Sequence, residues 1–200
     1  MDNQDLRRYF QGMRNAQPFG RGRYICPGLT RAALESITIE PSRDPKKPGA
    51  INFIAKHNVI AFQGMTYTSV RGNVVNTAGE FSPGDAVTHY VNLADPMYGL
   101  INAKEYLAPI GYALALEAVT RGEIPADALP SLAAFTKDFD DEDAISVVGT
   151  NAYQGMVIDV RAWHTITRGD PGRNKPPADF TAREFRAYPR IGASIPPFGN

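Results

Sequence analysis

The segment LAPIGYALALEAVTRGE, residues 107–123, decides how the middle of the chain is interpreted. Its Ala and Leu content favours a helix, but a helix between Gly111 and Gly122 would be short, and short helices are marginal in water. A strand would instead place large side chains on one face and small or polar ones on the other. The large side chains would be Tyr112, Leu114 and Leu116. We therefore predict a strand over residues 112–119.

Further strand signals lie on both sides of this segment. Short runs of β-branched and aromatic residues (INFIA, NVIAF and MTYTSV) fill residues 51–70, with turn residues between them. SPGDAVTHYV turns into another strand, and MVIDVRAWHTI resumes the period-2 pattern near residue 160. The chain is therefore predicted to be mainly β, with residues 51–120 and 145–167 in one antiparallel barrel or sandwich. Its core should contain Ile158, Val160, Ile166, Leu114 and Leu116.

Three regions interrupt or flank this predicted body, which spans residues 51–167. Residues 125–145 should form a helical insertion, with a short helix from Pro130, where proline suits the first turn. The strand run ISVVG should follow it. Residues 1–50 are interpreted as an N-terminal arm with short helices, one of them starting at Thr30. The apolar positions of the two predicted helices are Leu6, Tyr9, Phe10 and Met13, and Ala33, Leu34 and Ile37.

Residues 168–200 are interpreted as an extended C-terminal arm, because they contain six Pro and four Gly. Within them, FTAREF has the spacing of a capping box between Thr181 and Glu184, which predicts a helix of one or two turns. Aromatic side chains in both arms would be costly to leave in water, so we expect them to form an arm interface. These residues are Tyr9, Phe10, Phe19, Phe180, Phe185 and Phe198.

Charge is distributed unevenly, although the formal net charge of the chain is zero. Residues 1–50 contain nine Lys/Arg and five Asp/Glu, a net of +4, and residues 168–200 contain six and three, a net of +3. Residues 51–167 contain six and thirteen, a net of −7. Basic ends on an acidic body favour docking on an acidic protein surface. Nucleic-acid binding is not expected, because the densest basic run is only RDPKK.

The sequence lacks the residue spacings that enzymes and metal sites use. Cys26 is the only cysteine, which excludes an internal disulfide. His57, His89 and His164 are too far apart in sequence for a local metal motif, and each is interpreted as a polar strand residue or a satisfied core histidine. The acidic run DFDDED is interpreted as a solvated face. We expect no catalytic residue, cofactor or metal.

Three observations bear on where the protein acts. No apolar run reaches 18 residues, so no transmembrane helix is expected. The first ten residues have no signal-peptide core, so nothing suggests secretion. The single cysteine favours a reducing compartment, so synthesis in the cytoplasm is expected.

The order of three motifs in the centre of the chain resembles the small β-barrel decoration (cement) proteins of tailed-bacteriophage capsids. A Gly84-Asp85 pair opens a strand, YGLINA supplies a hairpin at residues 99–101, and a strand follows with the family's Gly and Ala spacing. The third motif would consist of Ile110, Gly111, Ala113, Ala118 and Gly122.

This resemblance implies a structural virion protein on the capsid exterior that bridges major capsid subunits, as a homo-oligomer such as a trimer. The long basic ends and the 125–145 insertion depart from the family pattern. A phage connector or tail assembly subunit is therefore one alternative. A hydrolase or toxin that uses Cys26 with a histidine is another.

Overall fold

A computed structural model describes residues 23–42, 50–95, 98–170, 172 and 174–199. The described residues form eight strands, three α-helices and one short 3₁₀ helix, Ala126–Ala128. The strands are β1 (Arg23–Tyr24), β2 (Gly28–Pro41), β3 (Ile51–Gly64), β4 (Thr66–Thr68), β5 (Val74–Asn76), β6 (Ala86–Asn92), β7 (Val157–Ile166) and β8 (Asp179–Tyr188). The α-helices are α1 (Gly99–Thr120), α2 (Leu132–Asp138) and α3 (Asp141–Thr150).

Six of the strands form one sheet in the order β1-β6-β3-β2-β7-β8. All neighbours are antiparallel except β1 and β6, which are parallel. The long hairpin β2–β3 forms the middle of the sheet, and β4 and β5 form a separate hairpin. The prediction of a mainly β fold with an antiparallel sheet is therefore confirmed.

The sheet is strongly curled. In a flat sheet, four inter-strand steps would separate β6 from β8 by roughly 19 Å. The ring centroids of His89 on β6 and Phe185 on β8 are nevertheless 4.7 Å apart, and Tyr106 of α1 lies 4.9 Å from each. The two ends of the sheet therefore bend towards each other around α1. The described strands do not close into a barrel, because β8 pairs with β7 alone.

Helix α1 fills the inside of this curl. Its buried side chains recur at helical spacing and include Ala103, Tyr106, Leu107, Ile110 and Ala113. They pack against the inner face of the sheet in one core, in which Tyr106 is fully buried. The inner-face residues are Leu34, Phe53, Ala55, Val59, Val87, Val91, Ile158, Val160 and Ala162.

The predicted strand over 112–119 is wrong, because these residues lie in α1. The helix is 22 residues long and begins at Gly99, well before the Gly111 that was taken as its boundary. Gly111 is an interior residue at which a Cβ atom would lie 3.0 Å from the Phe139 ring and 3.3 Å from Val147. Glycine here allows the segment carrying α2 and α3 to approach α1. Two of the three resemblance motifs lie in this helix, and only Gly84-Asp85 is followed by a strand.

The predicted helix from Thr30 is also wrong, because this segment forms β2. The register of β2 with β3 shifts between Arg31 and Ala32 and again between Leu34 and Ser36. Each irregularity changes the strict alternation of faces, so Leu34 and Ile37 are both buried although they are three residues apart. This spacing imitates the period of a helix. The first predicted helix, at Leu6–Met13, lies outside the described residues.

The segment FTAREF forms part of β8, so the predicted helix there is wrong. β8 pairs with β7 over its full length, from Ile166↔Asp179 to Val157↔Tyr188. Residues 179–188 are therefore part of the sheet rather than of an extended arm, and so is the part of residues 1–50 that forms β2. The sheet includes a strand from each predicted arm.

Of the other predicted elements and core residues, some are correct and some are wrong. Residues 51–64 form one continuous strand, without the turn predicted between the runs INFIA and NVIAF. The predicted strand ISVVG lies in α3, whose N-terminus the DFDDED run caps through Asp140. A helix does follow Pro130, as α2 with Ser131 as its N-cap. Of the five predicted core residues, Ile158 and Val160 are buried, Leu114 and Leu116 are half-buried, and Ile166 is 46% exposed.

Candidate functional site

A pocket of about 330 Å³ opens where the start of α1 meets the two ends of the curled sheet. We call it the His89 pocket. Residues from β6, α1 and β8 line it, including His89, Asn102, Phe180, Arg183 and Phe185. Mouths of curled or barrel-like sheets are common positions for ligand sites, and this volume is at the lower end of their usual range.

His89 belongs to the inner face of β6, between Val87 and Val91, and only 3% of its surface is exposed. Its ring stacks on Tyr106 with an interplanar angle of 22° and contacts Phe185 edge-on. Neither ring nitrogen has a hydrogen-bond partner in the described structure. Burial, followed by the nearby Arg183 charge and then His57, holds the pKa of His89 well below its usual value, so the ring is neutral near pH 7.

Arg183 extends from β8 into the same pocket. Its Nε atom is buried and has no hydrogen-bond partner, and no ion pair is formed by this side chain among the described residues. Burial lowers the pKa of the Arg183 guanidinium, and no acidic group opposes this effect. A partly buried cation without an ion-pair partner among the described residues is energetically unfavourable.

The third component is the N-terminus of α1, since Gly99 and Asn102 both line the pocket. No side chain caps this terminus, and its first turn contains no acidic residue. The Gly99 N–H at the pocket is not free, because it donates to the Asp95 carbonyl oxygen at 3.0 Å, and the Tyr98 N–H donates to Asp95 Oδ1 at 2.9 Å. The helix dipole therefore contributes only a partial positive charge here, next to the Asp95 carboxylate. Gly99 is required sterically, because a Cβ atom there would lie 2.6 Å from the Asn92 carbonyl oxygen.

A second polar pair lies deeper in the core. His57 Nε2 and the Tyr106 hydroxyl are 2.7 Å apart and both fully buried. Burial lowers the pKa of His57 to about 4 and raises that of Tyr106 well above its usual value. Both groups are therefore neutral at physiological pH. Tyr106 connects this pair to His89, on whose ring it stacks.

These groups make the His89 pocket suited to an anion rather than to a metal. A neutral histidine can donate one hydrogen bond, and Arg183 provides a full positive charge. The carboxylates of Asp95 and Glu105 also line the pocket, so Arg183 is the group that an anion would have to contact directly. In the described part of the chain, no group of three or more His, Cys, Asp or Glu is placed to hold a metal ion.

Cys26 is not activated as a nucleophile. The thiol is half-buried, and burial, followed by the Glu80 charge, raises its pKa to about 11, so it stays protonated. His57 hydrogen-bonds to Tyr106, and His164 pairs with Asp179 at 2.8 Å. The ring nitrogens of His89 have no partner in the described structure. Over the described ranges, no histidine hydrogen-bonds to Cys26. These contacts argue against the cysteine-dependent alternative.

The structure places the predicted arm-interface residues in different environments. Phe185 is part of the core and the His89 pocket, whereas Phe180 is 52% exposed at the rim of the same pocket. Phe198 lies 5.4 Å from the Arg31 guanidinium on the outer face of the sheet. Tyr9, Phe10 and Phe19 lie outside the described residues.

Sequence reasoning missed His89 and Arg183 as members of one site. His89 was interpreted as a satisfied core histidine, but its place in the alternation Val87, His89, Val91 indicates an inward-facing polar residue in an apolar row. Arg183 was missed because β8 was interpreted as a helix.

No helix in the described part of the chain combines the length and apolar character required to cross a membrane. No family model, curated protein or solved structure matches this chain.

Proposed function

We propose that the protein is a non-enzymatic assembly subunit of a tailed-phage particle, which decorates the capsid and bridges major capsid subunits. The support for attachment to a larger protein comes from exposed side chains around the His89 pocket. The support for a capsid comes from the sequence resemblance, of which Gly84-Asp85 before β6 remains in place.

The observation that carries the proposal is an apolar rim around the start of α1. Phe180 and Tyr90 line the pocket and are exposed at its edge. Tyr98, Leu100 and Ile101 flank the pocket residue Gly99, and Leu100 is 71% exposed. Clustered exposed aromatic and aliphatic side chains around a concave surface are typical of protein-binding sites. We call these five residues the apolar rim.

Co-sedimentation with particles tests this proposal. Purified protein is added to particles assembled from the major capsid protein alone, and the bound fraction is measured across protein concentrations. Saturable binding with a fixed copy number per particle is expected. Cryo-electron microscopy of the decorated particles should place the rim against the major capsid protein. No binding to these particles, together with density confined to the portal or tail of complete phage particles, would instead favour the connector or tail alternative.

A matched pair of substitutions makes this experiment specific. Leu100→Ser in the rim should weaken particle binding by about tenfold or more, as expected for a residue at the centre of an interface. Ile145→Ser is the control, because Ile145 on α3 is also 71% exposed. α3 packs against Gly111, roughly 16 Å along α1 from Leu100. Equal binding by both variants would contradict the proposed role of the rim.

A further inference from the structure

We propose that the His89 pocket binds a small monocarboxylate, whose carboxylate group would be held by Arg183 and the His89 ring. This inference concerns a ligand and does not depend on attachment to a particle. It accounts for two features of the pocket, its unsatisfied polar side chains and the apolar part of its lining.

The first feature is the pair of unsatisfied side chains. Buried polar atoms in proteins nearly always have hydrogen-bond partners, and each exception requires an explanation. Here both His89 nitrogens and Arg183 Nε are buried without a partner, and they belong to two residues that line one pocket. An anion between them would accept hydrogen bonds from the guanidinium and from one ring N–H of His89.

The second feature is the composition of the remaining lining, which favours a carboxylate over a phosphate. Asp95 and Glu105 also line the pocket, so a dianion would meet more repulsion than a monoanion. Val91, Phe180 and Phe185 provide apolar surface for the carbon skeleton of an organic acid. A short apolar acid therefore fits the pocket better than an inorganic anion.

Binding is tested on the full chain with sodium propionate, with inorganic phosphate and sodium chloride at matched ionic strength. The readout is the ¹⁵N chemical shift of the His89 ring as a function of pH. Propionate should raise the pKa of His89, because a nearby anion favours the imidazolium form. Phosphate and chloride should cause smaller changes. A larger effect of phosphate, or no effect of propionate, would overturn the assignment.

Arg183→Met provides a second test that separates a binding role from a structural one. Removing a half-buried cation whose Nε has no partner should raise the melting temperature of the ligand-free protein, while propionate binding weakens by about tenfold or more. His89→Phe should behave in the same way, because it keeps the ring and removes both unsatisfied nitrogens. The control Arg161→Gln, on the opposite face of the sheet, should leave propionate binding unchanged. A lower melting temperature for both pocket variants, or unchanged propionate binding, would overturn the proposal.

Discussion

His57 shows how one buried side chain makes the stability of the whole fold depend on pH. Its pKa is about 4 in the folded protein against 6.5 for an ordinary histidine, because burial opposes the charged form. Between these two values the unfolded chain binds the extra proton and the folded chain does not. Lowering the pH therefore favours the unfolded state.

We accordingly expect the free energy of unfolding to fall as the pH decreases from about 6.5 to 4. The contribution of His57 over this window is about 3 kcal/mol, and His89, whose pKa is also lowered, acts in the same direction. Urea unfolding at several pH values measures the effect. In the variant His57→Gln the slope should be smaller, and an unchanged slope would contradict the assignment to His57.

Arg190 is a second single residue that contributes to the stability of the fold, through its ion pair with Glu117. Its Nε and Nη2 atoms donate to the two oxygens of the Glu117 carboxylate, at 2.9 and 2.6 Å, and its backbone N–H donates to the same group. These bonds hold the pKa of Glu117 below its usual value. The buried carboxylate on α1 thereby fixes the chain that follows β8.

Arg190→Ala should reduce the free energy of unfolding by about 3 kcal/mol, because it leaves a buried carboxylate with only Arg121 nearby. Chemical denaturation measures this change. Arg168→Ala, at an exposed position, should have an effect below about 0.5 kcal/mol. If the two variants are equally stable, the Arg190–Glu117 pair is not important for stability.

At the scale of elements, the pattern of a strand could be recognised where the strand is regular and not where it is irregular. β7 alternates strictly and its inward residues, such as Ile158 and Val160, were identified from the sequence. β2 was interpreted as a helix because its register shifts bring Leu34 and Ile37 to one face. Such shifts depend on the partner strand, so the local sequence does not specify them.

α1 was missed for a related reason. Pro109 and Gly111 usually mark helix ends, but both are buried inside this helix. Glycine is needed at position 111 because Phe139 and Val147, which are distant in the sequence, approach α1 closely there. The His89 pocket was therefore also beyond prediction, since it forms only where α1 meets β6 and β8.

Two glycine substitutions test the packing of the helices. Gly111→Leu should destabilise the protein by about 2 kcal/mol, because its side chain would overlap Phe139 and Val147. Gly149→Leu should stabilise α3 by about 0.5 kcal/mol, because nothing lies within 4 Å of a Cβ atom at that position. Thermal unfolding followed by circular dichroism compares the two. Similar melting temperatures would contradict the close contact at Gly111.

At the scale of the whole molecule, ion pairs within the chain neutralise part of the uneven charge of the sequence. Arg31, from the basic N-terminal region, forms a bidentate pair with Asp159 of the acidic body, with both distances at 2.7 Å. Arg190, from the basic C-terminal region, pairs with Glu117. The basic ends therefore neutralise part of the body, and less of their charge is left for a partner than the sequence suggested.

Two truncations test which part of the C-terminal region belongs to the fold. Deleting residues 168–200 should abolish cooperative unfolding, because it removes β8 and the core side chain of Phe185. Deleting only residues 189–200 should leave a folded but less stable protein, which lacks the Arg190–Glu117 pair. Far-ultraviolet circular dichroism and thermal melting distinguish these outcomes. A cooperative transition in the longer deletion would show that β8 is dispensable.

The position of β7 and β8 in the curled sheet also constrains how the protein is made. β2 must pair with β7, and Arg31 and Asp159 are 128 residues apart. During synthesis on the ribosome, the inner faces of β2 and α1 have no complete cover until residue 188 has emerged. Long-range antiparallel pairing of this kind is slow. The edge of β2 that pairs with β7 therefore stays unpaired until β7 has emerged, and the apolar face of α1 lacks part of its cover between residues 120 and 188. We expect these exposed surfaces to favour binding by chaperones during synthesis.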